Sequence, residues 1–96
     1  MKVTEIRYSL IKQTTKATFL ARKAKLAKNE EDMNLWTNLV SIGRDYISYI
    51  DYVCKNPNYR KANSEAVAQK LYWILAHVEK SDIMIKDITK NRIRNQ

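Results

Sequence analysis

The residues of this sequence whose type and spacing indicate a chemical role are basic, and they lie near the amino terminus. The first 28 residues hold eight lysines and arginines against a single acid, Glu5. This segment therefore carries a net charge of +7 out of the +8 of the whole chain. Such concentrated positive charge attracts nucleic acid, anionic membrane surfaces or acidic proteins. It indicates a class of partner without specifying one.

The spacing of these basic residues groups some of them on one side of a helix. On helical geometry, Lys12, Lys16 and Lys23 lie within roughly 40° of one another. A cluster of this kind neutralises phosphates or faces an acidic surface. The predicted binding residues are Lys12, Lys16, Arg22, Lys23 and Lys25, with Lys90, Arg92 and Arg94 of the basic C-terminal segment extending the same track.

Residue types suited to catalysis or metal binding are scarce. His77 is the only histidine, and its place beside an apolar stripe is typical of a structural residue. Cys54 is the only cysteine and ends a very apolar segment, so we expect a small core residue there. Asp45 and Asp51 are typical of surface acids. The sequence thus predicts a protein that is not an enzyme and that binds neither a metal nor a cofactor.

The composition predicts the fold class. One glycine and one proline among 96 residues argue against a turn-rich β architecture, and the length suits a single domain. We expect an all-α fold, a compact bundle of three long helices plus a short C-terminal helix. The expected helices span approximately residues 3–28, 30–55, 63–80 and 82–93.

The first helix is predicted to carry two apolar edges. One is a heptad-like seam made of Val3, Ile6, Leu10, Gln13, Ala17, Leu20, Ala24 and Ala27. The second lies nearly opposite and consists of Tyr8, Ile11, Phe19 and Leu26. Within the chain, the short C-terminal helix is the best candidate to cover this second edge. An uncovered apolar strip bordered by lysines would suit an acidic protein groove, a second copy of the chain or single-stranded nucleic acid.

Local signals place the helix boundaries. Asn29, followed by three acids, predicts a capped second helix after a turn, although one continuous helix is the alternative because neither Gly nor Pro enforces the turn. Pro57 ends the second helix or opens the next one. Asn63 or Ser64 is expected to cap the third helix, and Ser81–Asp82 the last.

The second helix has two notable features. Gly43 indicates a close helix crossing, because glycine inside a helix costs roughly 1 kcal/mol. Tyr46, Tyr49 and Tyr52 stand three apart, and we expect boundary tyrosines with buried rings and hydrated hydroxyls. Tyr49 is also a candidate for the apolar interface, together with Tyr8 and the rest of the second edge.

These observations favour a small helical binding protein whose first helix docks on a polyanion, with nucleic acid as the leading partner. The alternative is a protein-interaction module that binds an acidic protein, such as a virus-encoded inhibitor, an immunity-type bundle or an assembly subunit. Peripheral membrane binding is a weaker third hypothesis, because the seam is rich in alanine. Two apolar edges on one helix also favour a homodimer. No signal region or membrane-spanning stretch is apparent, so we expect a cytoplasmic location, or the host cytoplasm for a viral protein.

Overall fold

The structure is a computed structural model that describes residues 2–94, with side chains described for residues 2–88. Four helices cover the described residues, and no strand occurs among them. They are α1 (Val3–Leu26), α2 (Glu30–Lys55), α3 (Pro57–Ala62) and α4 (Ser64–Arg94). The predicted all-α class is confirmed, with three long helices and one short one.

A tight turn separates α1 from α2, as the sequence predicts, and the alternative of one continuous helix is wrong. Lys28 adopts a left-handed conformation with φ 57°. The backbone N–H of Asn29 donates to the Ala24 carbonyl (2.8 Å) and that of Lys28 to the Lys25 carbonyl (3.1 Å), the hydrogen-bond pattern of a Schellman motif. The Asn29 side chain then accepts a hydrogen bond from the Asp32 backbone N–H at 3.1 Å, so it caps α2.

The connection between α2 and α4 is built from Asn and Pro residues. Asn56 is non-helical, as expected before a proline, and its side-chain amide donates to the Tyr52 carbonyl at 2.7 Å. Pro57 occupies the first turn of α3, where its missing N–H costs nothing. The Asn63 side chain donates back to the Tyr59 carbonyl at 3.0 Å, and α4 begins at Ser64. The short helix of the fold is therefore α3.

The predicted break at Ser81–Asp82 and the separate C-terminal helix are wrong, because α4 runs unbroken for 31 residues. Ser81 is buried, and its hydroxyl bonds His77 Nε2 at 3.3 Å within the same helix. Asp82 accepts a hydrogen bond from the Gln13 side chain of α1 at 2.8 Å. Neither Ser81 nor Asp82 caps a helix: the Ser81 side chain contacts its own helix, and the Asp82 side chain contacts α1. In addition, no Gly or Pro interrupts α4.

The seam of α1 forms the centre of the core. Two clusters contain most of the buried apolar side chains. The first combines Ile6, Leu10, Ile50, Ile74 and Val78, and the second combines Ala17, Trp36, Leu39 and Ile85. Each cluster joins residues of α1, α2 and α4. Burying a side chain such as Ile50 or Ile74 contributes about 1.5–3 kcal/mol.

The packing of α1 on α2 is the closest in the fold. A Cβ atom on Gly43 would overlap the Thr14 hydroxyl oxygen, which confirms the predicted close crossing at this glycine. Contact between α1 and α4 is sparser; it runs through the two core clusters and through the Gln13 side chain, which donates to the Val78 carbonyl. The predicted burial of Cys54 is wrong, since this residue is exposed. It lies about 100° around α2 from the buried Val53, which puts it outside the buried face.

Candidate nucleic-acid interface

The outward face of α1 carries the second apolar edge, and nothing in the described part of the chain covers it. Tyr8 is 63% exposed, Phe19 58% and Leu26 85%, and Ile11 is also exposed. These four residues are hereafter the apolar strip. The prediction that the C-terminal segment covers the strip is wrong: Ile85 of α4 packs against Ala17, which lies on the buried seam. Helical periodicity thus turns one side of α1 inward and leaves the other to solvent.

Basic residues border the apolar strip on both sides. Lys12, Lys16 and Lys23 lie on one border and Lys25 on the other, while Arg22 lies within the strip, between Phe19 and Leu26. All five side chains are exposed. None of these five forms an ion pair with any described side chain. Between Ile6 and Asn29 the sequence has no acidic residue, so α1 offers no internal counter-charge beyond Glu5 in its first turn. The predicted binding residues of the first helix are therefore all exposed, and they spread over about half of its circumference.

Two lysines of the border lie over the rings of the strip. The Lys12 Nζ atom is 5.4 Å from the centroid of the Tyr8 ring, and the Lys23 Nζ atom is 5.0 Å from that of Phe19. Each pair stands four residues apart on the helix, which is the spacing that brings side chains together. At exposed sites such cation–π contacts contribute about 0.5–1 kcal/mol. They hold each ring next to a positive charge.

A groove of about 220 Å³ lies between α1 and α4. Its lining includes Lys12 and Lys16 from α1 and Lys86 from α4. Its floor holds Gln13, which is buried and donates to the Val78 carbonyl at 2.6 Å and to Asp82 at 2.8 Å. Lys86 is thus placed beside two of the predicted residues, although sequence reasoning did not select it.

A second groove, of about 320 Å³, lies between α1 and α2. Arg22 and Lys25 line it from α1, and Arg44 lines it from α2. The apolar side chains of Met33 and Val40 contribute to its walls. Sequence reasoning missed Arg44, but one signal could have found it: this residue follows Gly43, where α2 crosses α1.

Arg7 differs from the other basic residues of α1 because it is paired. Its guanidinium donates to the Asp51 carboxylate through Nε at 2.7 Å and through Nη2 at 3.3 Å. This hydrogen bond raises the pKa of Arg7 and lowers the pKa of Asp51, with desolvation opposing both shifts. Arg7 therefore links α1 to α2 and is not available to a phosphate in the way that Lys12 or Lys23 is.

Other candidate residues lie away from this face. Tyr49 is half-buried against the core, and the Lys70 Nζ atom lies 5.5 Å from its ring centroid, so the structure does not bring it to the apolar strip. Burial raises the pKa of its hydroxyl. His77 contacts the Tyr46 ring edge-on, with centroids 5.2 Å apart. The side chains of Lys90, Arg92 and Arg94 lie outside the described residues.

The described part of the chain brings no three His, Cys, Asp or Glu side chains together in a way that could hold a metal ion. None of the helices, over the residues described, is long and apolar enough to cross a membrane. No protein-family model matches the chain, and no curated protein or solved structure matches it significantly.

Proposed function

We propose that this chain is a small, non-enzymatic helical bundle that binds nucleic acid through the basic outward face of α1. The observation that carries the proposal is a set of five exposed basic side chains, free of ion pairs with described residues, that lie along the borders of an uncovered helix face or within it: Lys12, Lys16, Arg22, Lys23 and Lys25. Like charges concentrated on one surface repel one another, and a polyanion would relieve that repulsion.

In this proposal the basic residues contact phosphates and release condensed counterions. Five phosphate contacts predict a slope of about −4.5 for log affinity against log salt on duplex DNA and about −3.5 on a single strand. The contacts are largely independent of sequence, because lysine ammonium groups recognise phosphate charge and not base edges. Arg44 and Lys86 extend the basic surface into the two grooves.

The exposed apolar strip also favours a second candidate, a protein-interaction module that binds an acidic protein. An apolar centre with a charged rim is the usual anatomy of such an interface. A homodimer through this face is disfavoured, because it would bring two copies of the same basic surface together. The two candidates differ in their response to salt and to oligonucleotides.

The test is fluorescence-anisotropy binding to labelled single- and double-stranded DNA and RNA over a salt series. The variant Lys12→Glu with Lys23→Glu should abolish binding while circular dichroism shows an unchanged helical content. The matched control is Lys61→Glu with Lys80→Glu, which makes the same change in net charge at two exposed residues outside both grooves. Weak binding that does not change with salt would overturn the proposal and leave the acidic protein as the partner. Equal losses in both double variants would overturn it as well, because nucleic acid would then bind through net charge and not through the face of α1.

A further inference from the structure

The face of α1 repeats one structural unit twice. The unit is an exposed aromatic ring with a lysine four residues later: Tyr8 with Lys12, and Phe19 with Lys23. The rings stand eleven residues apart, which is about three helical turns, so they point in nearly the same direction and are separated by about 16 Å along the axis. A repeated pair of ring and cation suits a ligand that itself repeats an aromatic and an anionic group.

Neither ring contributes to the core of the fold. Both are more than half exposed, and neither belongs to the two core clusters. Core packing therefore does not explain large aromatic side chains at these two positions. Exposed aromatic rings among positive charges are the elements with which proteins bind single-stranded nucleic acid, where bases stack on rings and cations follow the backbone.

The charge and the order of residues on this face favour single-stranded nucleic acid over a second copy of the chain, a duplex or a membrane surface. A second copy would present the same unpaired basic residues. A duplex keeps its bases stacked inside, where two rings on a convex helix face do not reach them. The strip is also not continuous: Thr15 lies between Ile11 and Phe19, and Arg22 between Phe19 and Leu26, unlike the unbroken apolar face of a membrane-surface helix.

We propose that α1 binds single-stranded nucleic acid, with one base stacked on Tyr8 and another on Phe19 while Lys12 and Lys23 contact the phosphates beside them. This inference rests on the proposed nucleic-acid function and adds strandedness and stacking to it. The border residues Lys16 and Lys25 then hold the strand on either side of the rings, and Arg22 contacts it between Phe19 and Leu26.

The experiment compares a single-stranded oligonucleotide with the duplex of the same sequence, using the full chain and four variants. Tyr8→Ala and Phe19→Ala should each lower the affinity for the single strand about tenfold and change the affinity for the duplex little. Phe19→Leu keeps the apolar character of the side chain but removes the ring, so it should lower the affinity for the single strand as much as Phe19→Ala does. Phe19→Trp should retain or increase single-strand binding. The salt slope should be the same in all four variants, because none removes a charge.

Tyr72→Ala and Trp73→Ala are the controls, since these aromatic residues of α4 are 72% and 58% exposed and lie outside the strip. They should leave both affinities unchanged. The stacking inference is wrong if the ring variants lose affinity for single strand and duplex equally, or lose affinity for neither. The phosphate-binding function stands in that case, provided that Lys12→Glu with Lys23→Glu still abolishes binding. If Phe19→Leu binds the single strand as well as the unaltered chain does, the strip makes only apolar contact with it and the stacking inference is wrong. Binding to anionic phospholipid vesicles but to no oligonucleotide would overturn both proposals.

Discussion

Thr14 of α1 and Gly43 of α2 approach so closely that a Cβ atom on the glycine would overlap the threonine hydroxyl oxygen. That hydroxyl oxygen is buried and has no hydrogen-bond partner among the described residues. The contact therefore depends on the missing side chain of Gly43 and not on a polar interaction. It sets how near α2 lies to α1, and so where Arg44 stands relative to Arg22 and Lys25.

Gly43→Ala should destabilise the fold. Overpacking costs about 1–3 kcal/mol, and the better helix propensity of alanine returns about 1 kcal/mol, so we expect a net loss of about 1 kcal/mol in the free energy of unfolding. Urea denaturation measures it. In a Thr14→Ala background the overlapping oxygen is absent, and Gly43→Ala should then be neutral or stabilising. An equal loss in both backgrounds would show that Thr14 is not the obstacle.

Lys28→Gly should stabilise the turn between α1 and α2. Lys28 has a φ of 57°, which is the left-handed region that glycine adopts without the steric cost of a Cβ atom. We expect a gain of about 1 kcal/mol in the free energy of unfolding, which thermal denaturation can measure. Lys28→Ala is the control, because it removes the same charge but keeps the Cβ atom. A similar gain in the free energy of unfolding for Lys28→Ala would show that removal of the lysine charge, and not the backbone conformation at residue 28, causes the stabilisation.

The fold should lose stability as the pH falls below the ordinary pKa of histidine. Burial, and secondarily the charge of Lys80, lower the pKa of His77 below 6.5. Between the lowered pKa and 6.5, the unfolded chain protonates the His77 imidazole more readily than the folded chain does. The stability that depends on a neutral His77 is therefore complete above pH 6.5 and declines as the pH falls through this window. The melting temperature should decrease as the pH falls through this window, and the variant His77→Gln should remove this pH dependence.

A second contribution to acid sensitivity lies in a separate window. The Arg7–Asp51 ion pair keeps the pKa of Asp51 below 3.8, so its contribution is lost only at a pH well below that of the histidine window. A decrease between neutral pH and 5 that persists in His77→Gln would contradict the assignment to His77.

The local and periodic features of this fold are readable from the sequence. The spacing of Ile6, Leu10 and Ala17 predicts which side of α1 is buried, and the same period predicts that Tyr8 and Phe19 point the other way. Asn29 predicts the cap of α2, because capping depends on neighbouring residues alone. The predicted binding residues of α1 are exposed on its outward half for the same reason.

The features that sequence reasoning missed depend on contacts between distant residues. Asp82 resembles a helix cap, but its carboxylate accepts a hydrogen bond from Gln13, 69 positions earlier in the chain. No local rule contains that pairing. Lys86 and Arg44 enter the candidate interface because α4 and α2 lie on either side of α1, and a helical wheel drawn for α1 alone does not include them.

Asp82→Asn should increase the affinity for nucleic acid. Asp82 lies in the groove with Lys12, Lys16 and Lys86, where its negative charge opposes a phosphate. The asparagine oxygen can still accept the hydrogen bond from Gln13, so the stability should change little. We expect a gain of about threefold to tenfold at low salt, shrinking as salt screens the charge. Glu79→Gln, at an exposed position of α4 outside the groove, is the control with the same charge change, and an equal gain there would make the effect one of net charge.

Arg44→Gln and Lys86→Gln should each weaken nucleic-acid binding and lower the magnitude of the salt slope by about one. The reason is that each residue places one cation in a groove beside α1 without taking part in the core or in an ion pair with a described side chain. Arg60→Gln and Lys80→Gln remove the same charges from exposed positions outside both grooves and should change the slope little. If the groove variants behave like these controls, phosphates contact α1 alone, and the bound strand follows the apolar strip without entering either groove.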